Sequence, residues 1–440
     1  MSTKHLLFVL FAMIIATTCL AQGTLAPTLV KDLEASGGSD PKDFCTRSTT
    51  GSKLFFTAKV GGKRDLFYTD GTAAGTVRVT TLQDDITSAI GAANLIFFTT
   101  ASKKLYKTDG SANGTIMLKQ FTVLNRLGGT HLPNKLLFGA STTDTGNQYQ
   151  LWESDGTVAN TVLLRGPGTD GGDYPKEFCF FANKVYFIAH YATGGLYGRG
   201  LIVSDGTAAG TSRLFSPPAT RSPSDITVAG GKLYFSENIR SATPEPWVSD
   251  GTTAGTRNLV QINPNGGSGP KGFVYWNKNV YFTAEDGNGL QLFDGTGKKI
   301  APLGFRSPLC VSGSTLYYGA KVASGSTGDW YSIYRLSTVN TLGIQVAPFS
   351  SPLGALPART NGNAGSEVPL HIVANPTSAK VFVRGDHLFA FNTTTAARSV
   401  VQPGVAPSTA PIKSDLFTYN GYIYFAADYT GQGAELYKVQ

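Results

Sequence analysis

The chain has 440 residues, of which only 15% are charged, while Gly contributes 52 and Tyr plus Phe 45. Aromatic side chains pack on pleated surfaces and Gly makes tight reversals, so this composition fits an all-β protein with many turns. The formal charge is +8, but Lys and Arg are scattered along the chain with no run longer than two. That excludes a basic stripe of the nucleic-acid-binding kind and leaves a tendency to weak adhesion on anionic surfaces.

At the N-terminus, Lys4 precedes an apolar run from Leu6 to Ala16, followed by Cys19-Leu20-Ala21. This is the pattern of a secretory signal peptide over residues 1–21, and it predicts an exported mature chain over 22–440. Cys19 is an alternative lipidation site, although Thr18 is a poor fit to the small residue expected before such a cysteine. No later apolar run approaches the roughly 18 residues of a spanning helix. Without the leader the chain holds 36 basic and 29 acidic residues, a charge of +7. Its three cysteines, Cys45, Cys179 and Cys310, precede the same kind of strand in different units. An odd number in an exported chain rules out a fully paired framework, and buried free thiols are the expectation.

Further along, a short apolar-aromatic segment recurs. It reads "KLFF" from Lys53, "NLIFF" from Asn94, "KLLF" from Lys135, "KVYF" from Lys184 and "KLYF" from Lys232. It continues as "NVYF" from Asn279, "TLYY" from Thr315, "KVFV" from Lys380 and "YIYF" from Tyr422. These nine anchors are 36 to 49 residues apart except for one gap of 65, which predicts an insertion at about 350–379. A second segment follows the first six of them: "LFYTDGTAAGT" from Leu66, "LYKTDGSANGT" from Leu105, "LWESDGTVANT" from Leu151, "LIVSDGTAAGT" from Leu201, "PWVSDGTTAGT" from Pro246 and the shortened "LQLFDGTGK" from Leu290. Each unit thus reads strand, turn, aromatic strand, loop, strand, Asp-Gly turn, strand. Four short antiparallel strands in about 45 residues is the signature of a propeller blade.

These segments closely resemble the bacterial family of ELWxxDGT-repeat proteins, whose repeats run roughly Glu-Leu-Trp-x-x-Asp-Gly-Thr, then Gly-Thr and a Val-Lys-Asp strand. The resemblance covers nearly the whole mature chain, strongly in the first five units, partially in the sixth and faintly in the last three. It implies an exported β-propeller and no particular reaction. The two ends fit ring closure. The chain stops at "AELYKVQ" without an Asp-Gly turn, while "TLVKDL" (Thr28 to Leu33) stands near the start as a fourth strand without a unit. Pairing of the two would remove both exposed sheet edges. The expectation is a single propeller of about nine blades, with eight as the alternative.

For the repeated carboxylates Asp70, Asp109, Asp155, Asp205, Asp250 and Asp294 the reading is structural. A calcium ion wants roughly six to eight oxygens gathered in one place, and an acid-base pair must converge on one substrate; residues repeated by rotation diverge. Asp can instead accept bonds from the following amides, Gly takes a positive φ, and Ser or Thr adds a hydroxyl cap. A second positive φ is expected at Gly75, Gly114, Gly210 and Gly255, with Asn160 in that place in the third unit. The motif also resembles the Asp-box of sialidase-type propellers, which caps the turn between a blade's third and fourth strands.

Strand order puts the tight turns on one rim and the longer second-to-third loops, with the inter-blade connections, on the other. Variable loops on a rigid scaffold are where function concentrates. The residues there best suited to a sugar or peptide are His190, Tyr191, Tyr197, Arg199, Arg240, Trp330 and Tyr331, since aromatic faces stack and Arg supplies directed donors. His131, His371 and His387 show no metal-ligand spacing. No nucleophile elbow, phosphate loop or paired-Cys motif occurs, and no cofactor is expected. The preferred reading is a non-enzymatic binding or scaffolding propeller for a protein or glycan at a cell surface. The alternative is a glycan-active hydrolase or lyase with its site in the central funnel.

Overall fold

The computed structural model describes residues 23–47, 53–124, 127, 131–133, 135–143, 149–165, 173–193, 196–215, 221–239, 244–325, 328–339, 345–356, 371–385, 387–402 and 412–440. These form nine sheets in succession, spanning 42–78, 86–120, 123–165, 173–215, 221–258, 271–302, 309–355, 371–401 and 417–439. Apart from the two N-terminal strands described below, each sheet pairs its strands in sequence order and antiparallel, with two short segments sharing the first place in the third, so every sheet is an up-and-down blade. The first strands of neighbouring blades approach one another, for example Asp173–Phe181 against Arg221–Ala229 and Arg221–Ala229 against Lys271–Trp276. They therefore surround the axis, and the fourth strands form the perimeter. The fold is a nine-bladed β-propeller, which sets the eight-bladed alternative aside.

The recurrent aromatic segments are the second strands. Leu54–Val60 is buried at each of its first five positions rather than at alternate ones, because both faces of a blade are covered by its neighbours. Phe56, Phe187 and Phe282 are fully buried in equivalent places, and each such side chain stabilises the fold by about 1.5–3 kcal/mol. Nine apolar clusters result, one at each junction between successive blades. The last brings Val30, Tyr424 and Leu436 of the ninth blade against Leu54, Phe56 and Phe67 of the first.

Closure follows the sequence expectation. Thr28–Lys31 pairs antiparallel with Glu435–Val439, with Thr28 opposite Lys438 and Leu29 opposite Tyr437. Lys31 Nζ donates to the Thr76 carbonyl at 2.9 Å and Lys438 Nζ to the Gly71 carbonyl at 2.8 Å, tying the seam to the first blade's Asp-Gly turn. One feature was not expected: Gly23–Leu25 adds a parallel fifth strand beside Arg398–Val401, so the N-terminal segment clasps the eighth blade as well as the ninth.

The connection across the seam copies an ordinary inter-blade connection. Glu435 accepts bonds from the Leu33 amide (3.2 Å), the Ser39 amide (2.7 Å) and the Ser39 hydroxyl (2.6 Å). Between the fifth and sixth blades, Glu245 accepts from the Ile262 amide (2.8 Å), the Asn263 amide (3.0 Å) and the Ser268 hydroxyl (3.0 Å). Burial pushes both carboxyls above their ordinary value, partly offset by these bonds. The connecting segments themselves match, "GGSDPKDF" over 37–44 and "GGSGPKGF" over 266–273.

The expected insertion at 350–379 is not one unit. Residues 350–355 belong to Gln345–Ala355, the fourth strand of the seventh blade, and His371–Asn375 is the first strand of the eighth, followed by a 3-10 turn at Pro376–Ser378. The long spacing arises from an extended seventh-blade hairpin and a connection outside the described residues. The expected signal segment 1–21, with Cys19, also lies outside them. Cys45, Cys179 and Cys310 are free thiols on the first strands of the first, fourth and seventh blades. Burial pushes Cys45 and Cys179 up to about 12 and raises Cys310 as well.

Candidate functional site

The Asp-Gly turns are closed hydrogen-bond circuits. In the first blade the Gly71 amide donates to Thr69 Oγ1 at 2.8 Å. The Thr72 amide and hydroxyl both donate to Asp70 Oδ1, at 2.8 and 2.7 Å. The Gly75 amide donates to Thr72 Oγ1 at 2.9 Å, and the Thr76 hydroxyl returns to the Thr72 carbonyl at 2.6 Å. The same circuit recurs at Asp109, Asp155, Asp205 and Asp250, and in tighter form at Asp294, which accepts from the Thr296 and Lys298 amides. Bonds from the neighbouring Thr or Ser hydroxyl hold the carboxyls of Asp70, Asp109, Asp205 and Asp250 below the ordinary value. At Asp155 burial opposes the shift, and the bonds from Asn160 and Thr157 outweigh it.

One expectation about these turns is corrected. Gly71 has φ +97°, but Gly75, Gly114, Gly210 and Gly255 are not in the left-handed region. A Cβ on Gly75 would sit 2.1 Å from the Asp70 carboxylate, so the second glycine makes room for a side chain. In the third blade, Asn160 donates through Nδ2 to Asp155 Oδ2 at 2.6 Å, a bond that compensates for its bulk. Among the described residues no group of three or more His, Cys, Asp or Glu is placed to hold a metal ion.

The opposite rim carries the sequence-derived candidates. His190 and Arg199 face each other across the second and third strands of the fourth blade, and Arg199 Nε donates to His190 Nε2 at 2.7 Å. Two tyrosines that the sequence reading missed join them. The Tyr174 ring lies 5.1 Å from the imidazole, and Tyr149, from the third blade, lies 5.9 Å from Tyr174. Tyr174 reaches this position through irregular backbone: the first strand shifts register between Asp173 and Lys176, and Tyr174 has φ +52°. Bulges re-aim side chains in this way. The Tyr174 amide donates to the Tyr149 carbonyl at 2.9 Å, fixing the two blades to each other.

Tyr331 is not available to a ligand. It is 7% exposed, packs edge-on to Phe305 at 4.8 Å and belongs to the core between the seventh and eighth blades. Tyr191, Tyr197 and Trp330 lie on strands of this rim's hairpins with side chains outside the description, and Arg240 lies outside the described residues.

Around the axis, the first strands carry charged residues that are engaged with one another. Glu177 accepts from the Asp225 amide of the next blade at 2.6 Å, and Asp225 pairs with Lys271 of the blade after that at 3.4 Å. A cleft of about 320 Å³ opens at the seam, between Asp40, Lys42, Asp43 and Phe44 of the first blade and Lys413 to Phe417 of the ninth. Each of its carboxylates has a partner outside the cleft's own acids: Asp40 the Arg64 guanidinium at 2.5 Å, Asp43 the Thr57 hydroxyl at 3.0 Å, and Asp415 Arg384 at 2.7 Å. The signal for this inner ring was the run Pro-Lys-x-Phe at 41–44, 175–178 and 270–273.

No protein-family model and no curated protein sequence matches the chain. Among solved structures it is similar to the oligogalacturonate lyase of Vibrio parahaemolyticus, with TM-score 0.44 and 10% identity over 96% of this chain and 98% of that one. It is similar to BamB from Moraxella catarrhalis, with TM-score 0.36 and 13% identity over 67% of this chain and 82% of that one. Two structures of puromycin hydrolase both give TM-score 0.40, at 15% and 14% identity over 79% and 88% of this chain. The chain spans 58% and 64% of their lengths. These likenesses are of fold alone.

Proposed function

We propose that the protein is an exported, non-enzymatic binding or scaffolding propeller that presents the rim opposite its Asp-Gly turns to a glycan or protein at a cell surface. The single observation that carries this reading is the cluster of Tyr149, Tyr174, His190 and Arg199, where an exposed guanidinium is oriented by an imidazole beside two aromatic rings. Such a surface offers a ligand stacking faces and directed donors. The resemblance to ELWxxDGT-repeat proteins and the leader pattern support export. Against the funnel-enzyme alternative stands the engagement of the axial carboxylates, which hold neighbouring amides, hydroxyls and cations.

The test is a printed glycan array together with binding to intact cells, using the purified mature protein. Combined His190→Ala and Arg199→Ala substitution is expected to weaken binding about tenfold or more, the worth of one charge-assisted contact. Turnover of a bound glycan by the unmodified protein would overturn the reading.

A further inference from the structure

Resting on that reading of the rim, we infer that the ligand of the cluster is an acidic sugar, a uronate unit of a polysaccharide, with its carboxylate on Arg199 and its ring face against Tyr174. The guanidinium carries the argument. Its Nε is engaged by His190, which fixes the plane of the fork and leaves the two Nη groups. No carboxylate among the described residues pairs with Arg199. A fork-shaped cation fixed in orientation, with no carboxylate partner among the described residues, is matched by a planar carboxylate that accepts two parallel bonds.

The aromatic side of the cluster specifies what the carboxylate is attached to. Tyr149 and Tyr174 come from adjacent blades and meet edge-on at 5.9 Å, forming a partly buried aromatic surface beside the imidazole that holds the cation. The C–H face of a pyranose stacks on such a surface, and a uronate places its carboxylate at the edge of that same ring. The backbone shows that this placement of Tyr174 is imposed. Tyr174 (φ +52°) stands directly before Pro175 in a bulge that the first strands repeat, with Asp40 before Pro41 (φ +48°) and Gly269 before Pro270 (φ +51°) in the same place. The basic balance of the chain, +8 over its full length, favours approach of a polyanion.

The experiment is calorimetric titration of the purified mature protein with a short oligo-uronate and with the same oligomer after reduction of its carboxylates to neutral sugars. The acidic oligomer is expected to bind at least about tenfold more tightly than the reduced one. Arg199→Ala should remove that preference. Tyr174→Gly should weaken both oligomers; glycine accepts the left-handed backbone, so the fold is retained while the ring is lost. An unchanged thermal midpoint in Arg199→Ala checks that its effect is local. Equal binding of the two oligomers, or an acidic preference that survives Arg199→Ala, overturns the proposal. If a neutral glycan or a protein binds through Tyr174 and His190 while the uronate does not, the acidic class falls and the rim's binding role stands. If nothing binds there, both fall.

Discussion

Replacing Glu435 with alanine tests whether the ring is held at its seam by one side chain. The substitution leaves the Leu33 amide, the Ser39 amide and the Ser39 hydroxyl without their acceptor. Bonds to a charged acceptor are worth about 1.5–3 kcal/mol each. They are not additive, and Glu435 is half-buried, so water recovers part of the loss; about 3 kcal/mol for the whole clamp is a reasonable magnitude. Glu245→Ala removes the same three kinds of bond between the fifth and sixth blades. There the freed connection remains covalently joined to a blade at either end, whereas at the seam it leads back to a strand held only by pairing. Amide hydrogen exchange separates the two cases. In Glu435→Ala, exchange at residues 28–31 and 436–438 should rise about a hundredfold, while in Glu245→Ala acceleration should stay within the connection around 262–268. Unchanged protection of 436–438 in Glu435→Ala, or equal spreading in both variants, would refute this account of closure.

The glycine that accommodates Asp70 gives a sharper comparison. Gly75→Ala should cost about 1–3 kcal/mol in urea unfolding, and Gly75→Asn less, because the amide can make the bond seen between Asn160 and Asp155. Tyr331→Ala should lower stability by about 3–5 kcal/mol, as for other large core truncations, and leave glycan binding unaltered. The pH response of the Asp-Gly rim follows from its depressed carboxyls. Their stabilisation is present above the ordinary value of 3.8 and is lost as pH falls through the lower folded values. The melting temperature should therefore fall steeply with acid below pH 3.8, and a variant with Asn at Asp70, Asp109, Asp205 and Asp250 should show a flatter profile. An identical slope in the two proteins would exclude that origin.

The repeat unit was legible because its constraints are local. Each aromatic strand must cover two neighbours, and each Asp caps amides within its own turn, so both leave a fixed spacing. "TLVKDL" was recognisable as a stranded fourth strand for the same reason. Less visible were groups whose partners are set by tertiary placement. Asp65, Gln150, Glu245 and Glu435 occupy one structural position with different chemistries; Glu245 and Glu435 serve connecting segments whose clearest mark is a serine after two glycines, while Asp65 holds Thr80 and Leu82 in a segment without that mark. Tyr331 sits in a long hairpin, Thr315–Gly325 with Gly328–Val339, whose register slips between Lys321 and Ala323; sequence alone therefore misjudged which face is buried. Tyr174 joins His190 because a register shift turns it there; the Pro-Lys-x-Phe run marks the bulge, with left-handed backbone before the proline at Asp40, Tyr174 and Gly269, but not which neighbour the side chain there meets.

Because the connection through Glu435 repeats the one through Glu245, the seam is bridged by the same bonds as an ordinary blade junction. The gap between Gln440 and Thr28 occupies the place of an Asp-Gly turn. A circular permutant that bridges this gap with an Asp-Gly-Thr segment and is cut at the turn following Ser249 keeps every blade. In such a molecule the burden of holding two chain ends together passes to the fifth blade.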